Sequence, residues 1–361
     1  MKVKDFLENI DKIAQDYEIS RIQTLEALEA GLISGCKKNY QVKSCYVSFE
    51  KDYSEFFLYR QYLVVDELNN SNDKIKEESD KINFKKINFI KLKEAQQIKK
   101  DIKLGEMLQI LVNPNEFNFY ASKDFKNKFH EEIMKRRREN IFNFFKRYEK
   151  KIISAEVVAI NENSFTLQLE KNINVFLLKK ETLLNDNFYL NERIQVYVVK
   201  VQDKNKMPEI FISRTNENFV REIFKEFIPE IQEGIVQIVG MSRAPSIKTK
   251  IGLLSKNNRV DPIGSCIGEK GSRIQSILNI LNGEKINLFL WSDDIKELIT
   301  NSLKPAQINE IVFVDKNRKE VLVSVSPEQA PLVIGKSGIN LRLASKAINW
   351  NIKVEILSEK K

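Results

Sequence analysis

Ile267-Gly268-Glu269-Lys270-Gly271-Ser272-Arg273-Ile274-Gln275 and Ile334-Gly335-Lys336-Ser337-Gly338-Ile339-Asn340-Leu341-Arg342 are two versions of one pattern, 67 residues apart. In each, two glycines bracket two polar residues, with a helix-like approach before them and a helix-like stretch after. A strand follows both copies, Ile286–Trp291 in the first case and Ile352–Ile356 in the second. Ahead of the second copy, Ile311–Val314 and Glu320–Val325 read as a hairpin turning at Asp315–Arg318. Ser326-Pro327-Glu328-Gln329 then carries a helix-start signature: a serine cap, a proline in the first turn and a glutamine that completes a capping box.

Physical chemistry explains why glycine recurs at these places. The first glycine relieves backbone strain where one helix stops, and the second lets the next helix begin close to a ligand. Without Cβ atoms, main-chain N–H groups can approach phosphate oxygens, and the following helix directs its positive end at the same anion. Lys270 and Lys336 put charge between the glycines, and Arg273 and Arg342 lie near the helix starts. The candidate RNA-binding residues are therefore Gly268, Glu269, Lys270, Gly271 and Arg273 in one copy, and Gly335, Lys336, Ser337, Gly338 and Arg342 in the other. Bases would lie across an apolar groove beside the strand, with Ile286, Leu288 and Ile352 as candidate lining. Helix–GxxG–helix is the arrangement of KH domains, which hold single-stranded nucleic acid.

Working back along the chain, residues 152–214 alternate or run short in apolar residues (Val157, Phe165, Leu167, Val175, Leu177, Val196, Val198). About five strands in that length fit a small closed barrel of the OB type. The first forty residues read as two helices, one carrying Phe6, Ile10, Ile13 and Tyr17, the next capped by Ser20 and carrying Ile22, Leu25, Leu28 and Leu32. Strands are expected at Ser44–Phe49, Glu55–Asp66 and Ile87–Leu92, with a polar loop at Asn69–Lys81. Helical spacing returns from Phe125 to Lys151, where Lys123–Lys151 holds 11 basic and 5 acidic residues. Its densest run, Lys135-Arg136-Arg137-Arg138, is either a solvated helix face or a surface facing a polyanion.

The chain's 361 residues exceed one compact core. The divisions expected are 1–151, 152–216, 217–300 and 301–361. The net charge of +9 is spread over the chain. Residues 1–151 hold 30 basic and 25 acidic side chains, residues 152–216 hold 8 of each, and residues 217–361 hold 21 and 17. No part is a polybasic tail, so any RNA contact must come from placed geometry. Cys36, Cys45 and Cys266 form no CxxC pair, so neither a zinc site nor a disulfide framework is expected, in keeping with a reducing cytoplasm. The N-terminus lacks the apolar core of a signal peptide, and no apolar run reaches the roughly 18 residues a membrane span needs.

Enzyme readings find little support. His130 is the single histidine, set in a charged helical stretch, so histidine-dependent chemistry has almost nothing to stand on. Gly335-Lys336-Ser337 ends like a phosphate-binding P-loop, but the leading glycine position holds Ala330. Gly264-Ser265-Cys266-Ile267-Gly268 imitates a nucleophile elbow with no histidine nearby in sequence. Asp293-Asp294 reads as a helix cap. No cofactor and no metal are expected.

At these same residues the chain resembles a known family. Val260-Asp261-Pro262-Ile263-Gly264-Ser265-Cys266-Ile267 through Gln275, with Asn282-Gly283-Glu284-Lys285-Ile286-Asn287 and Trp291, resembles the first KH signature of the NusA family of bacterial transcription termination and antitermination factors. Ile334 through Ser345, with Trp350, looks like the second signature. Leu25–Ala30, Leu63–Glu67 and Ile212–Thr215 are similar to motifs elsewhere in that family. The resemblance implies a multidomain α+β chain. An N-terminal polymerase-binding domain with a long helix would precede an S1-type OB barrel and two tandem KH domains of the prokaryotic type (type II).

It also implies a non-enzymatic, cytoplasmic, monomeric elongation factor whose partners are nascent single-stranded RNA and RNA polymerase core, with antitermination factors as further partners. The expected effects are on pausing, intrinsic termination and antitermination. Ala155 and Asn191-Glu192 depart from glycine and Gly-Asp in the barrel, which puts strong RNA binding by the barrel in doubt. The sequence ends at Lys361, so regulation through the acidic C-terminal repeats of some members is expected to be absent. The alternatives are an exoribonuclease-associated processing protein and a ribosome-associated KH protein.

Overall fold

A computed structural model describes residues 3–51, 53, 55–66, 87–204, 206–315 and 317–357. They fall into two compact units, Met1–Asn143 and Phe144–Lys361. Among the described residues, no helix is long and apolar enough to cross a membrane.

The first unit opens with α1 (Val3–Asp16) and α2 (Arg21–Tyr40). Ser20 Oγ accepts from the Gln23 N–H at 3.1 Å, and Gln23 Oε1 accepts from the Ser20 N–H at 3.0 Å. The capping box thus satisfies two amides that the helix leaves over. The strands β1 (Cys45–Phe49), β2 (Phe56–Val65), β3 (Asn88–Lys91) and β4 (Met107–Val112) form one sheet around β2. β1 and β4 run antiparallel to β2, and β3 runs parallel to it. Ile10, Leu25, Leu28, Leu32, Val47, Leu58 and Val112 fill the core between helices and sheet.

Two expectations change here. Leu92 is not strand but opens α3 (Leu92–Ile98), a run of strong helix formers that buries Ala95. The last helix, α4 (Phe119–Lys146), begins before the periodic stretch and stops short of Lys151. Asn118 Oδ1 accepts from the Ala121 N–H at 2.9 Å at its start. Asn69–Lys81 lies outside the described residues.

The second unit contains three sheets. The strands β5 (Ile152–Ile160), β6 (Ser164–Leu169), β7 (Ile173–Leu178), β8 (Arg193–Gln202) and β9 (Glu209–Ser213) pair in the order β7-β6-β5-β8-β9, all antiparallel. β7 and β9 come together and bring the sheet close to a barrel, as an S1-type OB fold requires. Ile173, Val175 and Leu177 point inward and Asn174, Phe176 and Leu178 outward, the two-residue period of a strand with one buried face. Asn191 adopts φ 65°, a left-handed turn that asparagine tolerates, so the missing glycine costs little geometry there.

The two remaining sheets carry one topology twice. The first module runs α5 (Glu217–Phe227), a short α6 (Pro229–Gln232), β10 (Val236–Ala244), β11 (Lys248–Ser255), α7 (Pro262–Ile267), α8 (Ser272–Ile280) and β12 (Lys285–Leu290). The second runs α9 (Ile295–Leu303), β13 (Glu310–Asp315), β14 (Glu320–Val325), α10 (Ala330–Ile334), α11 (Ile339–Ile348) and β15 (Asn351–Ile356). In both, an antiparallel hairpin is joined by a third strand parallel to its second, the helix pair making the crossover. This α-β-β-α-α-β order is that of type II KH domains. The expected capping box at Ser326 does not form. Residues 326–329 make a turn, α10 starts at Ala330, and Gln329 Oε1 accepts from the Gln307 N–H at 2.9 Å instead. Asp294 does cap α9, accepting from the Lys296 N–H at 3.1 Å.

Buried ion pairs knit this unit. Arg214 donates to both carboxylate oxygens of Asp186, at 2.7 and 3.0 Å, and to the Gln195 and Ile280 carbonyls, at 2.6 and 2.8 Å. It thereby joins barrel to first module with its charge fully partnered. Gly240 of β10 fits where α11 meets the first module's sheet: a Cβ there would strike the Ala347 carbonyl oxygen and the Trp291 ring. Backbone cannot retreat as a side chain can, so Gly240→Ala should destabilise the unit by about 1–3 kcal/mol. A fall in the urea midpoint with unchanged slope checks this.

Candidate nucleic-acid interface

Each GxxG segment is a break between two short helices, and the breaks are near copies. α7 ends at Gly268, with φ 73° and ψ 176°, and α10 ends at Gly335, with φ 70° and ψ 172°. That combination belongs to glycine alone, because a Cβ would collide with its own backbone. Gly268 N–H donates to the Gly264 carbonyl at 2.9 Å, and Gly335 N–H to the Pro331 carbonyl at 2.8 Å. A single 3-10 turn follows, with Lys270 and Ser337 both at φ 52°. The second glycines, Gly271 at 79° and Gly338 at 72°, are left-handed and open α8 and α11. The four residues between the glycines, Glu269, Lys270, Lys336 and Ser337, are exposed. Each loop thus presents two polar side chains at a helix start; the Ser272 and Ile339 amides donate to the Glu269 and Lys336 carbonyls, and only the helix amides after them lack an intrahelical acceptor.

The arginines divide. Arg342 is exposed on α11. Arg273 is engaged within its own module, donating to Glu230 Oε2 and to the Ser265 carbonyl, both at 2.8 Å. Its stem fills the space behind Gly268, where a Cβ would come within 2.7 Å of Arg273 Cγ. Arg273 therefore braces the loop from behind. Asn340 takes the equivalent place in the second module, 2.7 Å from a Cβ built on Gly335.

The expected groove lining is also revised. Ile352 is 4% exposed and belongs to the second module's core, while Ile286 and Leu288 pack partly against the first module's core. The apolar side chains that face solvent at the loops are Ile267, just before the first glycine, and Leu332 on α10. Alternation along β12 and β15 did not reveal which face the helices cover. Cys266 is fully buried and burial pushes its thiol up to about 12, the reverse of what a nucleophile needs.

The basic run of α4 does not make one patch. Lys135 is exposed, whereas Arg136, Arg137 and Arg138 are half-buried. Arg136 pairs with Glu26 at 3.1 Å and reaches Glu139 at 4.0 Å. Consecutive helical residues lie about 100° apart around the axis, so four in a row cannot share a face.

Two lysines that periodicity passed over matter at the module junction. Lys248 and Lys250 stand two apart on β11 and so share a face. Lys248 Nζ donates to Asn340 Oδ1 at 2.9 Å, and Lys250 Nζ donates to the Ser302 carbonyl. Lys250 is fully buried, and burial, reinforced by the Lys248 charge, lowers its pKa to about 7. The signal was present in sequence as two cations opening the strand Lys248–Ser255, ahead of its apolar run Ile251–Leu254.

The sign of the pH effect follows. Between about 7 and the ordinary 10.5 the unfolded chain holds the Lys250 proton and the folded chain releases it, so folding stability gains with rising pH across that window. Lys250→Met should lose this contribution, with a limiting difference in slope of roughly 1.4 kcal/mol per pH unit. Denaturant unfolding of both proteins from pH 7 to 10 measures it.

Fold and loops together define a class: a tandem KH protein with an S1-type barrel preceding the pair. Family models agree in order along the chain, with the NusA N-terminal domain at residues 5–139, the NusA-like first KH domain at 214–291 and the NusA-like second KH domain at 295–361. The chain is 31% identical over 356 residues to the transcription termination/antitermination protein NusA of Halalkalibacterium halodurans, covering 98% of this chain and 89% of that one. It is 30% identical to the Bacillus subtilis protein of that name, covering 98% and 91%. The Thermus thermophilus protein is 34% identical over 267 residues, covering 74% and 68%. The chain belongs to the NusA family.

Proposed function

We propose that this protein is a non-enzymatic transcription elongation factor that binds RNA polymerase core through its N-terminal domain and holds nascent single-stranded RNA on its KH pair. It would thereby modulate pausing, intrinsic termination and antitermination, as a cytoplasmic monomer open to other antitermination factors. The division of labour follows residues 1–151 for polymerase, 152–216 for the barrel, and 217–300 and 301–361 for the KH domains. The observation that carries the reading is the duplicated loop. Two glycine-restricted backbone breaks, each with exposed polar residues and a helix N-terminus, suit a sugar–phosphate strand. Contact falls to Gly268, Glu269, Lys270 and Gly271, and to Gly335, Lys336, Ser337, Gly338 and Arg342, with Arg273 acting from behind its loop. Lys135 is the exposed member of the candidate basic patch. Tethering RNA to polymerase raises its local concentration, so individually weak contacts can bias pausing.

The exposed positions between the glycines allow a test that leaves the folding glycines alone. Lys270→Asp, Lys336→Asp and Ser337→Asp, combined with Glu269→Asp, which keeps the charge already there, give both loops paired carboxylates where phosphates would sit. We expect RNA affinity to drop at least tenfold in filter binding while co-sedimentation with polymerase core persists. Unchanged RNA affinity would reject the reading. For about four to six neutralised phosphates, the wild-type log–log salt slope should be roughly −3 to −4. Pause lifetimes on purified elongation complexes should lengthen with the wild type and less with the quadruple variant.

A further inference from the structure

The two loops are braced differently, and the difference crosses a module boundary. Behind Gly268, Arg273 reaches, among the described residues, groups of its own module: the Ser265 carbonyl on α7 and Glu230 on α6. Behind Gly335, Asn340 donates Nδ2 to the Leu332 and Val333 carbonyls, at 3.0 and 3.1 Å, and so closes the end of α10. Its Oδ1 is met by Lys248 Nζ at 2.9 Å, and Lys248 belongs to β11 of the first module. Asn340 is 5% exposed, so its amide has little access to water as an alternative partner. An amide has only two orientations in such a place, and Lys248 and the α10 carbonyls favour the same one, with Oδ1 to the ammonium and Nδ2 to the carbonyls.

The surrounding contacts make this junction firm. Gly240 of β10 admits the Ala347 carbonyl of α11 at a distance no side chain would allow. Lys250 reaches the Ser302 carbonyl of α9 from the same strand as Lys248. Lys248 stands opposite Lys285 in the β11–β12 register, like charges side by side, so attraction within its own sheet does not hold its ammonium in place.

We propose that the second GxxG loop is a composite structure, and that Lys248 of the first KH module is its positioning residue, acting through Asn340 to hold Gly335–Gly338 in the RNA-binding shape. This rests on the RNA-binding reading of the loops given above. The first loop is self-contained, and the second is complete only when the first module is folded beside it. A ligand that bends or separates the modules would then release the second loop while sparing the first.

Two measurements on the full chain test this. In amide hydrogen exchange without RNA, Lys248→Met should speed exchange at 335–341 and leave 268–274 unchanged, and Lys248→Arg, which keeps a donor, should restore protection. Equal exchange in wild type and Lys248→Met would overturn the proposal whatever the loops bind. In RNA binding, Lys248→Met should cost roughly three- to tenfold, the worth of one hydrogen bond to a charged group after partial exposure. That loss should vanish in a background already carrying Lys336→Asp and Ser337→Asp, and persist with Glu269→Asp and Lys270→Asp. An undiminished loss in the first background, with the salt slope reduced by about 0.7, would mean that Lys248 grips phosphate itself, which overturns the brace. If Lys336→Asp with Ser337→Asp leaves affinity unchanged, the RNA reading of that loop fails, and this use of the brace fails with it.

Discussion

Everything at the candidate interface depends on one backbone constraint. Gly268 and Gly335 sit at φ near 70° with ψ near 175°, a region closed to any residue with a Cβ. That conformation stops one helix and, after a single turn, allows another to start at a sharp angle. It leaves no room behind the loop either, because Arg273 and Asn340 already fill it. The loop is therefore fixed from two sides, by a conformation in front and by a packed side chain behind. Fixed amides and a helix N-terminus can meet an anion without reorganising, which is what makes such a break useful for binding.

The same economy of contact appears on a larger scale in the second unit. Arg214 draws on barrel and first module at once, and Lys248 and Lys250 draw the second module onto the first. Buried polar and charged groups are costly to leave unpartnered, so they favour one arrangement over near alternatives. An RNA strand meeting this unit would encounter loops at defined separations. The barrel segment, residues 152–216, carries 8 basic and 8 acidic side chains, so it adds no net charge to the unit.

Much of this was readable in the chain. The duplicated glycine spacing, the hairpin before the second copy and the alternation through residues 152–214 are local patterns, and local sterics and period alone generate the elements they announce. Ser20 and Asp294 behave as caps because a cap needs only its own neighbours. Where the reading failed, a distant residue had intervened. Ser326 could have closed a capping box, but Gln329 found the Gln307 amide. Leu92 reads as the end of a strand until the helix that buries Ala95 is seen against the small core of Val64, Ile102 and Leu108.

By itself the sequence determined where the backbone must break, since glycine is the one residue that permits the torsions at 268 and 335. It also determined the order of modules and the exposed polar residues each break would carry. Only the tertiary structure decided what those breaks lean on. Arg273 turned inward to Glu230, Ile352 joined the core, the run from Lys135 to Arg138 spread around its helix, and Lys248 reached Asn340 across 92 residues. Side-chain partners are chosen by packing after the elements assemble, and no local spacing encodes which distant carbonyl or amide will be left needing one.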